Sequence, residues 1–319
     1  MAYDIIGDIH GQAGKLVALL NELGYREHLG VWKHPSRTAL FVGDFIDRGP
    51  GQLETLRIVR GMVEAGAAEA VMGNHEFNAI VWHTADPENP GEYLRPRHAR
   101  NLHQHIRFLE EVGGDSPLHK TWIDWFMTLP LWLEKPGLRV VHACWHPEFM
   151  AQLSPHMGPN NTFTPDLLLR AGRYKTPEFV ATEAICKGLE IDLPAPMTFT
   201  DEEGTVRGRT RVRWWDAEAS TYRRAALVGR AQAEQLPDIP LPADARVDYD
   251  QVKPVFFGHY WATGTPRILS PKACCVDFSA ALADKPLVAY RWDGESELSN
   301  EKLVAVYPAH APRPAGLRR

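Results

Sequence analysis

Cysteine is scarce in this 319-residue sequence: there are four, Cys144, Cys186, Cys274 and Cys275, and none stands in a CxxC spacing. Two are adjacent, which fits neither a disulfide framework nor a zinc ribbon, and the expected compartment is a reducing cytoplasm. Long apolar runs are also missing. No window approaches the roughly 18 to 20 uncharged residues needed to span a bilayer, so membrane insertion is not expected. The start, MAYDIIGDIHG, enters a short strand-like run and a Gly-Asp turn with no basic leader or cleavage site, so export is not expected either. A cationic excess is lacking too. Lys plus Arg number 35 against 40 Asp plus Glu, a formal charge of −5, which argues against holding nucleic acid through global charge and leaves only a local basic patch open. No internal repeat is visible.

What is present is an ordinary 44% apolar fraction together with 14 His, 25 Gly and 25 Pro. The chain is long enough to bury a substantial core as one large domain. Its first 150 residues alternate strand, loop and helix. Tyr3 to Ile6 leads through a Gly-Asp loop to a helix ending at Leu23; Thr38 to Val42 leads through GDFIDRGPG to a helix from Gln52 to Ala65; Ala68 to Met72 leads through GNHE to a helix towards Trp82. Such βα units predict an α/β fold whose loops converge at the carboxyl ends of the strands. Residues 97–133 read as helical and aromatic, and LRVVHACW as a further buried strand. Residues 151–250 carry nine prolines and read as an insertion, with a helix from Pro177 to Lys187. Buried strands then resume at PVFFGH, KACCVDF, PLVAYRW and KLVAVYP, where an antiparallel closing sheet is expected. The domain expectation is one unit over 1–308, with 309–319 a frayed tail.

Each strand end carries a group that binds hard or borderline metals: Asp8 and His10 in GDIHG, Asp44 in GDFIDRG, Asn74 in GNHE, His142 in HACW and His259 in GHY. Carboxylate, amide oxygen and imidazole together suit a pair of divalent transition ions, with Asp44 able to bridge both. Separations of 36, 30, 68 and 117 residues exclude a local metal loop and require a fold that gathers strand ends. The adjoining glycines, Gly7, Gly43, Gly73 and Gly258 among them, permit close backbone approach.

In their order, GDIHG, GDFIDRG, GNHE, HA and GH resemble the motif series of calcineurin-like metallophosphoesterases, in the phosphoprotein phosphatase branch, over residues 7 to 259. Bacterial members include serine/threonine protein phosphatases and diadenosine tetraphosphatase-like enzymes. The resemblance implies two mixed β-sheets packed as a sandwich and flanked by helices. It places Asp8, His10 and Asp44 on a first metal and Asp44, Asn74, His142 and His259 on a second, with a bridging hydroxide as nucleophile. His75 is then the general acid, Asp47 its orienting partner, and Arg48 a phosphate ligand. Glu76 reads as a brace of the loop. Mn²⁺ is the first choice of metal, and Fe, Zn, Co or Ni suit the same ligands.

The expected activity is hydrolysis of phosphate monoesters of the phosphoserine/phosphothreonine type, with dinucleoside polyphosphate hydrolysis as the alternative and a catalytically inactive, metal-stabilised binding protein as a third reading. The expected partners are thus a phosphorylated protein or peptide, or a nucleotide, and neither a membrane nor nucleic acid. The family's second phosphate-binding arginine has no motif here. Arg207, Arg209, Arg211 and Arg213 recur with period two, so a strand there would present all four on one face; these, or Lys187, Arg223 or Arg224, are the candidates. The aromatic run containing Trp122, Trp125, Phe126 and Trp132 reads as core rather than as a base-stacking wall. Cys144, Tyr260 and the CVDFS segment depart from the family's usual residues around the pocket without replacing a ligand.

Overall fold

The computed structural model describes residues 2–200 and 204–308; the expected tail, 309–319, lies outside the described residues. Nine strands build two sheets. They are β1 (Ala2–Ile6), β2 (Arg37–Phe41), β3 (Ala68–Ala70), β4 (Trp132–Glu134), β5 (Arg139–Val141), β6 (Val255–Phe257), β7 (Ala273–Cys275), β8 (Leu287–Trp292) and β9 (Leu303–Val306). The first sheet has the order β9-β8-β1-β2-β3 and the second β7-β6-β5-β4. Both are mixed: β1, β2 and β3 run parallel while β8 lies antiparallel to both β1 and β9, and β5, β6 and β7 run parallel while β4 is antiparallel to β5.

The sandwich follows from the period-two alternation of side chains along each strand. Tyr3, Ile5, Leu40, Val42 and Val71 of the first sheet meet Leu138, Val140, Phe256, Cys274 and Val276 of the second in one buried cluster. Their chain neighbours Ile6, Phe41, Val141 and Phe257 point the other way and join the larger core formed with the helices. Helices α1 (Ala13–Leu23), α2 (Gln52–Glu64), α3 (Asn74–His83), α4 (Ala99–Val112) and α5 (Pro117–Phe126) contribute Leu16, Leu56, Phe77, Phe108 and Trp125 to that core. The two-sheet α/β architecture is the one the motif series implied.

One polar tie crosses the first sheet. Asp4 on β1 is fully buried, and the Arg37 Nε on β2 donates to both its carboxylate oxygens at 2.9 and 3.0 Å. Arg37 also reaches the Tyr3 and Trp292 carbonyls, so it links β1, β2 and β8, while Arg291 approaches Asp4 at 3.2 Å.

Three sequence expectations are corrected. The four late strands do not form one antiparallel sheet: β6 and β7 are parallel members of the second sheet, and β8 and β9 close the first. The helical stretch ends at Phe126, and Trp132 to Glu134 is a strand, because Pro130 breaks the helix and the following apolar residues pair with β5. The arginine stripe is not continuous: Val206–Arg207 pairs with Phe199–Thr200, whereas Arg209–Arg211 pairs with Glu190–Asp192 beyond Gly208. Residues between 151 and 250 also form α6 (Pro165–Ala171) and α7 (Pro177–Lys187), the latter where the sequence predicts it, with the Thr176 hydroxyl accepting from Phe179 N at 3.1 Å. Buried Leu167, Ile185, Trp214 and Trp215 of this region share the core of the helical layer.

Candidate active site

The loops after β1, β2, β3, β5 and β6 converge at one end of the sandwich, and the six proposed ligands arrive with them. Asp8, His10, Asp44, Asn74, His142 and His259 are all buried. Asp44 Oδ2 lies 3.5 Å from His10 Nε2 and 3.4 Å from His142 Nε2. Asn74 Oδ1 lies 3.1 Å from His142 Nε2 and 2.7 Å from His259 Nδ1. Asp8 sits beside them with Oδ2 accepting from His259 N at 2.9 Å, while its Oδ1 is buried without a partner among the described residues.

The backbone is bent to make this possible. His10, Asp44, Asp47, Arg48 and His259 all have positive φ, between 47° and 70°, a conformation uncommon for residues with a Cβ and typical of strained functional turns. Two glycines are required by close approach. A Cβ on Gly258 would lie 1.9 Å from Asp8 Oδ1, and one on Gly43, whose φ is +97°, would lie 2.4 Å from Gly73 N.

Glu76 holds two of the loops together. Its carboxylate accepts from Asp44 N (2.8 Å), Phe45 N (2.8 Å) and Gly73 N (3.0 Å), with Ile46 N at 3.4 Å. All four neighbours are donors. Gln52 fixes the next turn by accepting from Asp47 N at 2.7 Å and donating to Gly49 O at 2.7 Å.

The donor set fits divalent cations. His10 Nδ1 faces the Ile46 carbonyl at 2.9 Å and His142 Nδ1 faces the Val42 carbonyl at 2.7 Å. Each ring therefore donates at Nδ1, which turns an Nε2 lone pair towards the Asp44 carboxylate and, for His142, the Asn74 oxygen. Lone pairs converging on lone pairs in a buried site call for positive charge between them. The electrostatics agree: burial opposes charge on His142, but Asp44 and Asp8 push its pKa up to about 10.

Next to this cluster, His75 Nδ1 meets Asp47 Oδ2 at 2.5 Å. The second Asp47 oxygen, Oδ1, is met by His105 Nδ1 of α4 at 2.8 Å. Burial works against a charge on His75, yet Asp44 and Asp47 hold its pKa above the ordinary value. Burial likewise opposes ionisation of Asp47, and His105 and His75 overcome it and hold its carboxyl well below the usual range.

The site opens into a cleft of about 460 Å³ that Asp44, Asp47, Arg48, Asn74, His75 and His259 line together with α4 and part of the 151–250 region. Arg48 is exposed at its mouth with its guanidinium 4.3 Å from the centre of the Trp261 ring. Of the candidate cations in 151–250, Arg211 and Lys187 reach this cleft, Lys187 paired with Glu183. Arg209 pairs instead with Asp192, and Arg213, Arg223 and Arg224 line a separate surface pocket. Among the described residues Arg211 Nε is buried without a hydrogen-bond partner. Trp122, Trp125, Phe126 and Trp132 are buried in the core, as expected.

The calcineurin-like phosphoesterase family model matches residues 1–192. The chain belongs to the calcineurin-like phosphoesterases. Among curated relatives of this phosphoesterase, the asymmetrical bis(5'-nucleosyl)-tetraphosphatase PrpE of Bacillus subtilis (strain 168) is 49% identical over 148 residues, 45% of this chain and 57% of the relative. The symmetrical bis(5'-nucleosyl)-tetraphosphatase of Shewanella sediminis (strain HAW-EB3) is 31% identical over 147 residues, 45% of this chain and 44% of the relative. The chain thus spans about half the length of these curated relatives. A protein serine/threonine phosphatase from Saccharomyces cerevisiae aligns over 99% of this chain and 82% of its own, at 14% identity and a TM-score of 0.47. Members of this family use paired divalent metals, and among the described residues His10, Asp44 and His75, and Asp44, His142 and His259, form groups close enough to hold an ion.

His105 and Arg95, which also lines the cleft, escaped the sequence reading. Neither lies in a motif. His105 sits on the amphipathic α4, where a single inward histidine looks like core, and only the fold brings it to Asp47.

Proposed function

We propose that this phosphoesterase hydrolyses phosphoester or phosphoanhydride bonds at a two-metal centre held by Asp8, His10, Asp44, Asn74, His142 and His259. The observation that carries the reading is the convergence of imidazole nitrogens and buried oxygens on Asp44, in a cleft that also holds the His75–Asp47 pair. When bound, two divalent ions lower the pKa of an attacking water and screen phosphate charge; Mn²⁺ is the first metal to test. The side chains do the rest. Arg48 and Arg211 bind and orient phosphate oxygens from two different elements, with Arg211 as the second phosphate-binding arginine. His75, with Nδ1 engaged by Asp47, offers its Nε2 proton to the departing oxygen as general acid. His105 gives Asp47 a second hydrogen bond and so steadies its orientation. Trp261 supports Arg48 from beneath and covers that wall from water.

For substrate we take dinucleoside polyphosphates first. The cleft is larger than one phosphoryl group requires, and the PrpE relative is named for that substrate class. Phosphoserine or phosphothreonine monoesters are the second reading, favoured by the exposure of Arg48 at the mouth, where a macromolecule can reach it. Product analysis on Mn²⁺-loaded protein separates them: nucleotides from diadenosine tetraphosphate for the first, inorganic phosphate from a phosphopeptide for the second. Failure to hydrolyse even p-nitrophenyl phosphate would leave only a metal-stabilised binding protein. Residues 1–308 are taken as one working domain. Action in the cytoplasm suits four buried, unpaired thiols, and among the described residues no helix is long and apolar enough to cross a membrane.

A further inference from the structure

Arg95 occupies an unusual environment. Its Nη1 donates to Asn78 Oδ1 at 3.0 Å, and its Nη2 donates to Asn101 Oδ1 at 3.1 Å and Gln104 Oε1 at 3.0 Å. These are neutral amide oxygens. Among the described residues Arg95 is within ion-pair distance of no carboxylate, and it is only partly exposed. An arginine cannot shed its proton in a protein, so the fold holds a partly desolvated cation in fixed geometry with no counter-ion of its own.

The carboxylates that act on Arg95 from farther off, Glu183 and Asp47, are engaged by Lys187 and by His75 and His105 respectively. Asn101 and Gln104 belong to the first turns of α4, whose N-cap is His98, and His98, Arg100 and Asn101 line the cleft with Arg95. The 14-residue α4 therefore directs the positive end of its dipole towards this region. Arg100 is exposed and adds a second cation that no described carboxylate pairs. The Asn78 and Gln104 amides that hold Arg95 through oxygen also carry N–H donors suited to phosphate oxygens, while Asn101 Nδ2 donates to the Pro96 carbonyl at 2.8 Å. These groups share the cleft with Asp44 and His75 but come from different elements than Arg48 and Arg211.

We propose that the α4 end of the cleft is a second anion subsite, built on Arg95 and completed by Arg100, which holds a phosphoryl group of the substrate other than the one attacked at the Asp44 centre. The preferred substrates then carry a chain of phosphoryl groups, and a simple monoester leaves this subsite empty. The inference rests on the hydrolase reading above and specifies its substrate class.

The test compares wild type, Arg95→Gln, Arg95→Lys and Arg100→Gln, each loaded with Mn²⁺, on diadenosine tetraphosphate and on p-nitrophenyl phosphate. In Arg95→Gln, kcat/KM for the tetraphosphate falls at least tenfold relative to that for p-nitrophenyl phosphate, chiefly through KM; Arg95→Lys recovers part of the loss. Arg100, on the surface and outside any packing, serves if Arg95→Gln does not fold, and its ratio falls about threefold. A parallel fall on both substrates, or an unchanged ratio in both Arg95→Gln and Arg100→Gln, would overturn the proposal.

Binding separates this inference from the hydrolase reading. If wild type cleaves neither substrate, the hydrolase reading fails, and calorimetry on the Mn²⁺-loaded protein still reads the subsite. Inorganic tripolyphosphate binds at least tenfold less tightly to Arg95→Gln than to wild type while orthophosphate binding changes less. Equal losses for the two anions would overturn the subsite on its own.

Discussion

Replacing Glu76 by glutamine gives the sharpest structural test of the site. The carboxylate sits fully buried between the Asp44 and Asn74 loops and receives Asp44 N, Phe45 N and Gly73 N at 2.8 to 3.0 Å, with Ile46 N farther off at 3.4 Å. Burial and the Asp44 charge push its pKa up, but a protonated oxygen would find only donors around it, so the ionised form is the one that satisfies the loops. Glutamine keeps one oxygen and sets an NH₂ group against at least one backbone N–H. In one orientation Phe45 N loses its acceptor, and in the other Asp44 N and Gly73 N lose theirs. At about 1.5–3 kcal/mol for each charge-assisted bond lost, plus an unpaired buried N–H, the destabilisation is about 3–5 kcal/mol. That corresponds to a Tm lowered by roughly 6–20 °C, using the 2–4 °C per kcal/mol typical of domains somewhat smaller than this one. Thermal and urea denaturation of wild type and Glu76→Gln at neutral pH, both in chelator, measures it. A difference below about 1 kcal/mol would mean that Glu76 is protonated or that the loops are held by other contacts, and the bracing argument would be wrong.

Other expectations follow from the same geometry. His75→Asn lowers kcat by about 10²–10⁴-fold on substrates with a poor leaving group and less on p-nitrophenyl phosphate, since general acid catalysis matters most where the leaving oxygen needs a proton; equal losses on the two substrates would count against the acid role. Gly258→Ala drives a methyl group into Asp8 Oδ1, so calorimetry with Mn²⁺ should show at least tenfold weaker binding while the far-ultraviolet circular dichroism stays native; undiminished affinity would remove Asp8 from the ligand set. Arg37→Met leaves Asp4 buried with Arg291 as its remaining partner, and chemical denaturation should show a loss of about 2–4 kcal/mol, a little under that for a wholly unpaired buried charge.

The convergence of the proposed ligands was legible in the sequence because each sits in a loop whose glycines and strand context leave a local mark. Asp8, Asp44 and Asn74 could be assigned to converging strand ends from the alternation alone. The sandwich was not legible in that way: the apolar runs of β6 and β8 look alike as sequence, and which sheet each joins depends on partners more than a hundred residues away. The arginines of 207–213 suggested one strand because period two is the only local signal, yet Gly208 lets the chain change partners, and just Arg211 of the four lines the cleft. His105 and Arg95 had no signal at all, because their roles arise where α4 meets the loop carrying Asp47, a junction that Glu111 of α4 secures by accepting from Gln52 N and Leu53 N at 2.9 Å each.

The central claim is that six buried side chains gather two divalent ions around Asp44. The most direct measurement is calorimetric titration of Mn²⁺ into metal-free wild type and Asp44→Ala. Two ions per chain in the wild type, with both sites weakened together in the variant because they share one carboxylate, is the predicted result. A wild type that takes up one ion or none, or a variant that keeps one site at full affinity, would contradict it.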